Sequence, residues 1–450
     1  MAPPSPTAPI APVIAAQLQE VLVSLVRRGW PDAEVLMKRG RSRRVELTTC
    51  TETSAFTQEQ AWAVRAGHHR GSLFAAGTGE PRPDGPWPDP TGRAVRIPEP
   101  VPVPVWNEPS DFDAPLIGER EGLKLLESLG KELTAELPKA RLLHAALEDG
   151  SSESDLANSR GLRARTRSRV ATLYLEAAGP GRPDGHQTPT ATLYLSAREA
   201  RKFHPPALAR RLADRLAVIA QGGPPEHDTG DMLLAPPVAS RLLCGLLPLL
   251  VGPKAATAMS GLRDHRGRIG SPHLTLIDNG RLAGGAFESS IDGEGMPTRE
   301  VLLIDQGFFR QPLLTWWQSE TASGAPSGCT RRAGWRDLPV PGPTHLYLKP
   351  DPKIPVASLL GAVTQGYYLI DVTGGPHFDL TENRFALPVC GFAVQSGRAT
   401  APVAGAWLCG KISQLLQNIV GIGRDLAFHP LNGMIGSPTL LVTGLELRKG

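Results

Sequence analysis

Several short segments combine residue types that could do chemistry. Asp292-Gly293-Glu294-Gly295 sets two carboxylates two residues apart. On a strand they would share one face, where they could bind a cation or act in acid/base work. In a glycine-rich turn the Asp equally serves the backbone. Cys329-Thr330-Arg331-Arg332 places a thiol beside two arginines, an arrangement that can lower a thiol pKa, or simply a spare thiol in a loop. Trp316-Trp317 reads either as half core and half surface or as a patch for a peptide or partner. Arg163, Arg165, Arg167 and Arg169 alternate, so on a strand all four point to one face. They read as an anion or nucleic-acid stripe, or as a solvated face whose like charges discourage edge pairing. A relocated catalytic site could use Asp292, Glu294, His345 or Cys329, although their spacing does not demand it.

The familiar motifs are missing. There is no Gly-x-x-x-x-Gly-Lys-Ser/Thr loop, no Gly-x-Gly-x-x-Gly and no Gly-x-Ser-x-Gly elbow. No His precedes a Glu, and no two of the 11 histidines stand at i, i+4, the spacing that aims both at one metal from a helix. The five cysteines are scattered with no Cys-x-x-Cys, as expected of reduced thiols. Net charge is +4, from 48 basic and 44 acidic residues, and aromatics are 5%. Neither a phosphate-neutralising surplus nor a stacking platform is present, so nucleic acid is disfavoured as a partner. Met1 to Val26 lacks the basic start of a signal peptide, and the apolar run Val238 to Val251 is broken by Arg241 and Pro248. The expectation is a cytoplasmic protein with no membrane contact.

The elements that must position these residues follow from punctuation and periodicity. The 48 glycines and 44 prolines are about a fifth of the 450 residues, which favours turns and β structure over a helical bundle. Residues 1–12 read as a disordered lead and 13–222 as an N-terminal α+β domain. Within it, Ile14 to Val26 has helical spacing closed by Gly29 and Pro31. Short strands are predicted at 33–37, 44–48, 62–66 and 72–76, with a long loop over 78–115. The leucines from Leu123 to Leu137 mark a second helix. Ala-Thr-Leu-Tyr-Leu occurs at 171–175 and again at 191–195, which predicts a long hairpin. Ser196 to Glu199 fits a capping box ahead of a helix that Pro205-Pro206 would interrupt. Gly222 to Gly230 reads as a boundary. One apolar helix is expected within 231–253, a further short helix over 413–420, and otherwise short strands through 231–450. The fold class is α+β: a mixed α/β first domain followed by a β-rich, mostly antiparallel second one.

From residue 286 the order of features becomes specific. Phe287 to Thr298 carries Asp292-Gly293-Glu294-Gly295, and Val301 to Gly307 is a strand ending in a glycine turn. Downstream come Ser327-Gly328-Cys329, Pro343-Thr344-His345-Leu346, Gly391-Phe392-Ala393-Val394, Pro402-Val403, Asn418-Ile419-Val420-Gly421 and Ser437-Pro438-Thr439. This series resembles the TldD/PmbA (TldE) family, once called modulators of DNA gyrase. It covers 230–450 well, whereas Asp32 to Val35 and Asn158 to Gly161 fit more loosely.

The resemblance implies two branches. The TldD branch carries a His-Glu-x-x-x-His helix and a distant Cys that hold zinc, and looks like the catalytic peptidase subunit. The TldE/PmbA branch lacks these ligands and pairs with it. Here the corresponding positions are Cys244, Gly245 and Leu249, and the region of the distant Cys reads Asn432-Gly433-Met434-Ile435-Gly436. Gly and Leu offer neither a general base nor a second ligand, and a hydrolytic zinc needs three protein ligands. The implied role is a non-catalytic subunit that partners a TldD-like chain, or itself, in proteolysis of small or unfolded peptides. Zinc is expected only in the TldD-like partner and no cofactor in this chain. Asp292, Glu294, Trp316, Trp317, Arg331 and His345 are the candidate peptide or partner contacts, and Arg163 to Arg169 the candidate anion contacts. The alternative is a free-standing regulatory protein acting on DNA gyrase or another nucleic-acid enzyme.

Overall fold

A computed structural model describes residues 16–69, 71–85, 87–89, 91–92, 95–102, 112–180, 188–321 and 326–450. The expected lead, 1–12, lies outside them, as do parts of the 78–115 loop and the tip of the 171–195 hairpin.

The first half is a six-stranded antiparallel sheet with helices on one face. Its elements are α1 (Ala16–Arg27), β1 (Asp32–Thr48), β2 (Glu52–His68), β3 (Gly71–Thr78), α2 (Glu119–Glu136), β4 (Arg141–Asn158), β5 (Arg163–Ala178), β6 (Thr190–Ala197) and α3 (Pro205–Gln221). The strand order is β3-β2-β1-β4-β5-β6. α1 forms because Leu18, Val21, Leu22 and Leu25 recur on one face, and all four are buried. Gly29 at φ +91° ends it, with the Gly29 N–H donating to Val26 O at 3.0 Å. α2 does the same with Leu126, Leu129 and Leu133, packed against Val45, Leu147 and Leu173.

Two local expectations need correction. The four short strands are parts of three longer ones, because each polar stretch is paired along its length, as Arg41↔Gln58 and Ser42↔Gly150 are. Ser196 does not cap a helix: it is the penultimate residue of β6, opposite Thr172. α3 begins at Pro205-Pro206, where the missing N–H groups cost nothing. The repeated pentapeptides do face each other, Leu173↔Leu195 and Tyr174↔Tyr194.

The second half begins with β7 (Asp231–Leu234) and α4 (Pro236–Gly245), so the single apolar helix expected here is a strand, a helix and a 3-10 turn at Leu247–Leu249. The strand arises because Met232, Leu233 and Leu234 pair between two neighbours, Leu440 to Val442 and Gly366 to Leu369. The elements that follow are α5 (Ala255–Ser260), β8 (Leu276–Asn279), β9 (Glu300–Asp305), β10 (Phe308–Phe309), α6 (Trp316–Thr321), β11 (Thr330–Arg331), β12 (Val340–Pro341), β13 (His345–Leu348), α7 (Val356–Ala362) and β14 (Gln365–Val372). Then come β15 (His377–Asp379), β16 (Arg384–Gln395), β17 (Arg398–Lys411), α8 (Ile412–Gln417), β18 (Ile419–Ile422), β19 (Ala427–Leu431), β20 (Gly433–Ser437), β21 (Leu440–Val442) and β22 (Glu446–Lys449). They build two larger sheets, β10-β9-β8-β13-β20-β19 and β18-β21-β7-β14-β16-β17-β22, with β15 added to β16 and a separate β11-β12 ribbon. Pairing is mostly antiparallel, the exceptions being β13 with β20 and β14 with β7. α4 lies between the two sheets, against β14 on one side and β19 and β20 on the other. Among the described residues no helix is long and apolar enough to cross a membrane.

Candidate functional site

The helix-free face of the first sheet looks across a cleft of about 1430 Å³ onto the second half. Leu36, Lys38, Ser152 and Ser154 line one wall; Cys244, Asp292, Arg331 and Asn432 line the other. At its base the halves are locked by a buried ionic knot. Glu34 of β1 stands directly opposite Arg65 of β2, and the Arg65 Nη2 donates to Glu34 Oε2 at 3.0 Å. Arg65 Nη1 reaches across to Glu294 Oε1 at 3.4 Å, and Arg332 comes back to Glu34 Oε1. Glu34 and Glu294 are only 1% and 2% exposed. Burial alone would raise the Glu34 carboxyl, but Arg65 and Arg332 outweigh it and hold it below the ordinary range.

The Asp292–Gly295 turn is built to enter this knot. Asp292 Oδ1 accepts the N–H groups of Glu294 and Met296 at 2.9 and 3.0 Å, and Oδ2 that of Thr330 at 3.1 Å. Glu294 Oε2 accepts the Trp316 N–H and the Thr330 hydroxyl, each at 3.0 Å. Gly295 is at φ +83°, and a Cβ there would lie 2.2 Å from Leu162 Cδ2. The motif is therefore a docking turn that seats the second half on Leu156 and Leu162 of the first. Burial, and then Glu294, push Asp292 up to about 7.

Beside the turn, Asp278 accepts the Thr344 N–H at 2.8 Å and burial brings it to about 7. His345 is 1% exposed. Its Nδ1–H donates to Asn279 O at 3.0 Å and its Nε2 accepts from the Phe287 N–H at 3.3 Å. Burial lowers it to about 4, so it stays neutral and both nitrogens are engaged. Arg331 lies 4.4 Å over the Phe287 ring and donates to Pro343 O at 2.6 Å. Of the two readings of Cys329, the lowered thiol pKa is not met: burial, with Asp278 and Asp292 nearby, pushes the thiol well up. The neighbouring guanidiniums are occupied elsewhere.

Of the six candidate contacts, Asp292 and Arg331 line the cleft, while Glu294, Trp316, Trp317 and His345 are not among the residues that line it. Trp317 is covered instead by the Arg96 guanidinium, 5.5 Å from its ring. The arginine stripe lies on the helix-bearing face of β5 and is answered by carboxylates of β4. Arg165 and Arg167 stand directly opposite Asp155 and Glu153 and pair with them at 2.7 and 2.8 Å. Arg169 is fully buried on Asp149, 3.0 Å away. Arg163 donates to Asn158 O at 2.9 Å and to Gln19. The alternation Asp149, Ser151, Glu153, Asp155 carried this signal in the sequence. Glu34, Arg65 and Arg332 carried none, since their meeting spans three distant segments.

The degenerate zinc positions can be tested for fit. Cys244 and Gly245 line the cleft, as Asn432 does, but Leu249 does not: it is 7% exposed and belongs to the main core. α4 ends at Gly245 and the chain tightens around Pro248, so the three positions do not share a helix face. The place a Gly245 side chain would take is filled by the Phe378 ring, 2.1 Å from an ideal Cβ. One thiol, a glycine and a core leucine do not fit zinc. Among the described residues no group of three or more His, Cys, Asp or Glu side chains could hold a metal.

Comparison with known proteins agrees with this architecture. Residues 227–449 match the family described as the PmbA/TldA metallopeptidase C-terminal domain. A TldD metalloprotease homologue of Buchnera aphidicola is 26% identical over 170 residues, which is 38% of this chain and 35% of that protein. A metalloprotease of Methanothermobacter thermautotrophicus is 26% identical over 287 residues, 62% of this chain and 61% of that one. The matched stretch thus spans about a third of the first relative and less than two thirds of the second. The crystal structure of TldE from Thermococcus kodakarensis superposes with a TM-score of 0.82 at 16% identity, covering 96% of this chain and all of that one, a likeness of fold.

Proposed function

Because the chain belongs to the TldD/PmbA family through its C-terminal half, we propose that it is a non-catalytic, TldE-like subunit that pairs with a TldD-like zinc metallopeptidase in the proteolysis of small or unfolded peptides. The observation that carries this reading is the state of the zinc positions: Cys244 faces the cleft, Gly245 has its side-chain space filled by Phe378, and Leu249 is in the core. In this reading peptide hydrolysis belongs to the partner, and this chain supplies a wall of the peptide chamber. The cleft suits an extended chain because its walls are a sheet face and the short β11-β12 ribbon, which offer backbone groups with little side-chain selection.

The test is to purify the chain alone and together with a TldD-like subunit, then measure peptide hydrolysis and bound zinc in each. The chain alone should show neither, and the pair should show both. Full zinc-dependent hydrolysis by the chain alone would overturn the proposal. The regulatory, nucleic-acid reading draws little support from the arginine stripe, in which Arg165, Arg167 and Arg169 are met by Asp155, Glu153 and Asp149.

A further inference from the structure

A second cavity of about 740 Å³ shares no lining residue with the cleft. It lies where α3 meets β14, β16 and the start of α4. Arg211 and Arg215 stand four apart on α3 and share a face; Arg241 follows the cavity residue Pro237 by the same interval on α4. Arg215, Arg211 and Arg241 each act electrostatically on one buried carboxylate, Asp371. Arg215 alone pairs with it closely, Nε to Oδ2 at 2.7 Å, and also donates to Thr192 O at 2.8 Å. Arg211 donates to His429 Nε2 at 3.5 Å, and the His429 Nδ1–H points to Ser240 Oγ at 3.3 Å. The Arg241 guanidinium has no hydrogen bond or ion pair among the described residues.

The local charge is therefore unbalanced. Burial, and then Arg211, Arg215 and Arg241, hold His429 down to about 3, so the imidazole is neutral. Burial and the neighbouring Arg215 bring Arg211 down to about 10. Of the other charged lining residues, Arg210 is already matched by Glu136, and Asp214 is exposed and joins no ion pair among the described residues. The remaining wall is apolar, with Val218, Ile370 and Phe392. Planar guanidinium forks around a shielded space are the arrangement that recognises oxyanions.

We propose that this cavity binds an organic anion, with a phosphate or carboxylate head held by Arg211 and Arg215 and an apolar body against Val218, Ile370 and Phe392. The ligand supplies the missing negative charge. Because α3 belongs to the first half and β14 and α4 to the second, it also clips the two halves together behind the helix that carries Cys244.

Isothermal titration and thermal melts at constant ionic strength test this, with phenyl phosphate, benzoate and inorganic phosphate as probes. Phenyl phosphate or benzoate should bind saturably, one per chain, raise Tm, and bind more tightly than inorganic phosphate; which of the two wins identifies the head. R211M should weaken binding about tenfold or more, as expected for a lost charged hydrogen bond. This variant strands no charge, because Arg211 is bonded at 3.5 Å to the neutral His429 and Asp371 keeps Arg215. F392A should weaken phenyl phosphate but not inorganic phosphate, and R310M, at an exposed pair far from the cavity, should change nothing. Equal affinity of R211M and the wild-type chain, or no saturable binding of any probe, overturns the proposal.

Discussion

At the scale of single residues, burial reverses what local chemistry suggests. Cys329 sits beside two arginines in sequence, yet its thiol is pushed up, because desolvation dominates when the cations face other partners. Asp278 and His345 shift in opposite senses and give opposite pH signatures. Asp278 titrates near 7 when folded, against an ordinary value of 3.8, so ionising it costs stability as pH rises through that range. The Asp278→Asn variant should therefore gain on the wild-type chain between pH 4 and 8 in denaturant midpoints. His345 titrates near 4 against 6.5, so the folded state resists its protonation and stability falls as pH drops through this window. His345→Gln should lose less stability than the wild-type chain between pH 6.5 and 4. A flat difference in either comparison would show that the group does not titrate as its burial requires.

At the scale of elements, the Asp292–Gly295 turn joins the two halves of the chain through side chains that are nearly all buried. Breaking such a pair by removing one partner leaves an unmatched charge and costs about 3–5 kcal/mol. Arg65→Met should show a loss of that size in chemical denaturation, since it strands Glu294 and leaves Glu34 with Arg332 alone. Gly295→Ala should also destabilise, because it combines φ +83° with a Cβ overlapping Leu162. α4 gives a third expectation. Gly245→Glu cannot rebuild a zinc helix, because Phe378 occupies the space and Leu249 points into the core. The variant should lower Tm and bind no zinc by metal analysis.

At the scale of the whole molecule, the halves meet face to face over a cleft large enough for an extended peptide. The net charge is only +4, and Arg165 and Arg167 of the stripe are ion-paired with carboxylates of β4. Retention on DNA should accordingly be absent at physiological salt. Salt-dependent retention that is lost on replacing Arg163, Arg165 and Arg167 would instead favour a nucleic-acid role.

Much of this was legible in the chain itself. Leucine periodicity gave α1 and α2, the repeated Ala-Thr-Leu-Tyr-Leu gave β5 against β6, and the ordered motifs from Phe287 onward gave the family of the second half. The loss of zinc ligands at Gly245 and Leu249 was also visible, because no glycine or leucine can coordinate a metal in any fold. The length of β1 and β2 was not legible, since their polar stretches are held by neighbours distant in sequence. Nor was the strand at Met232, which local apolarity cannot distinguish from helix. The role of Glu294 was decided by tertiary structure alone, whereas the pairing of the arginine stripe was foreshadowed by the alternating Asp149, Glu153 and Asp155. Whether a carboxylate or guanidinium acts on a ligand or on its own chain depends on which opposite charge folding brings within about 3 Å, and spacing in one segment holds no record of the other.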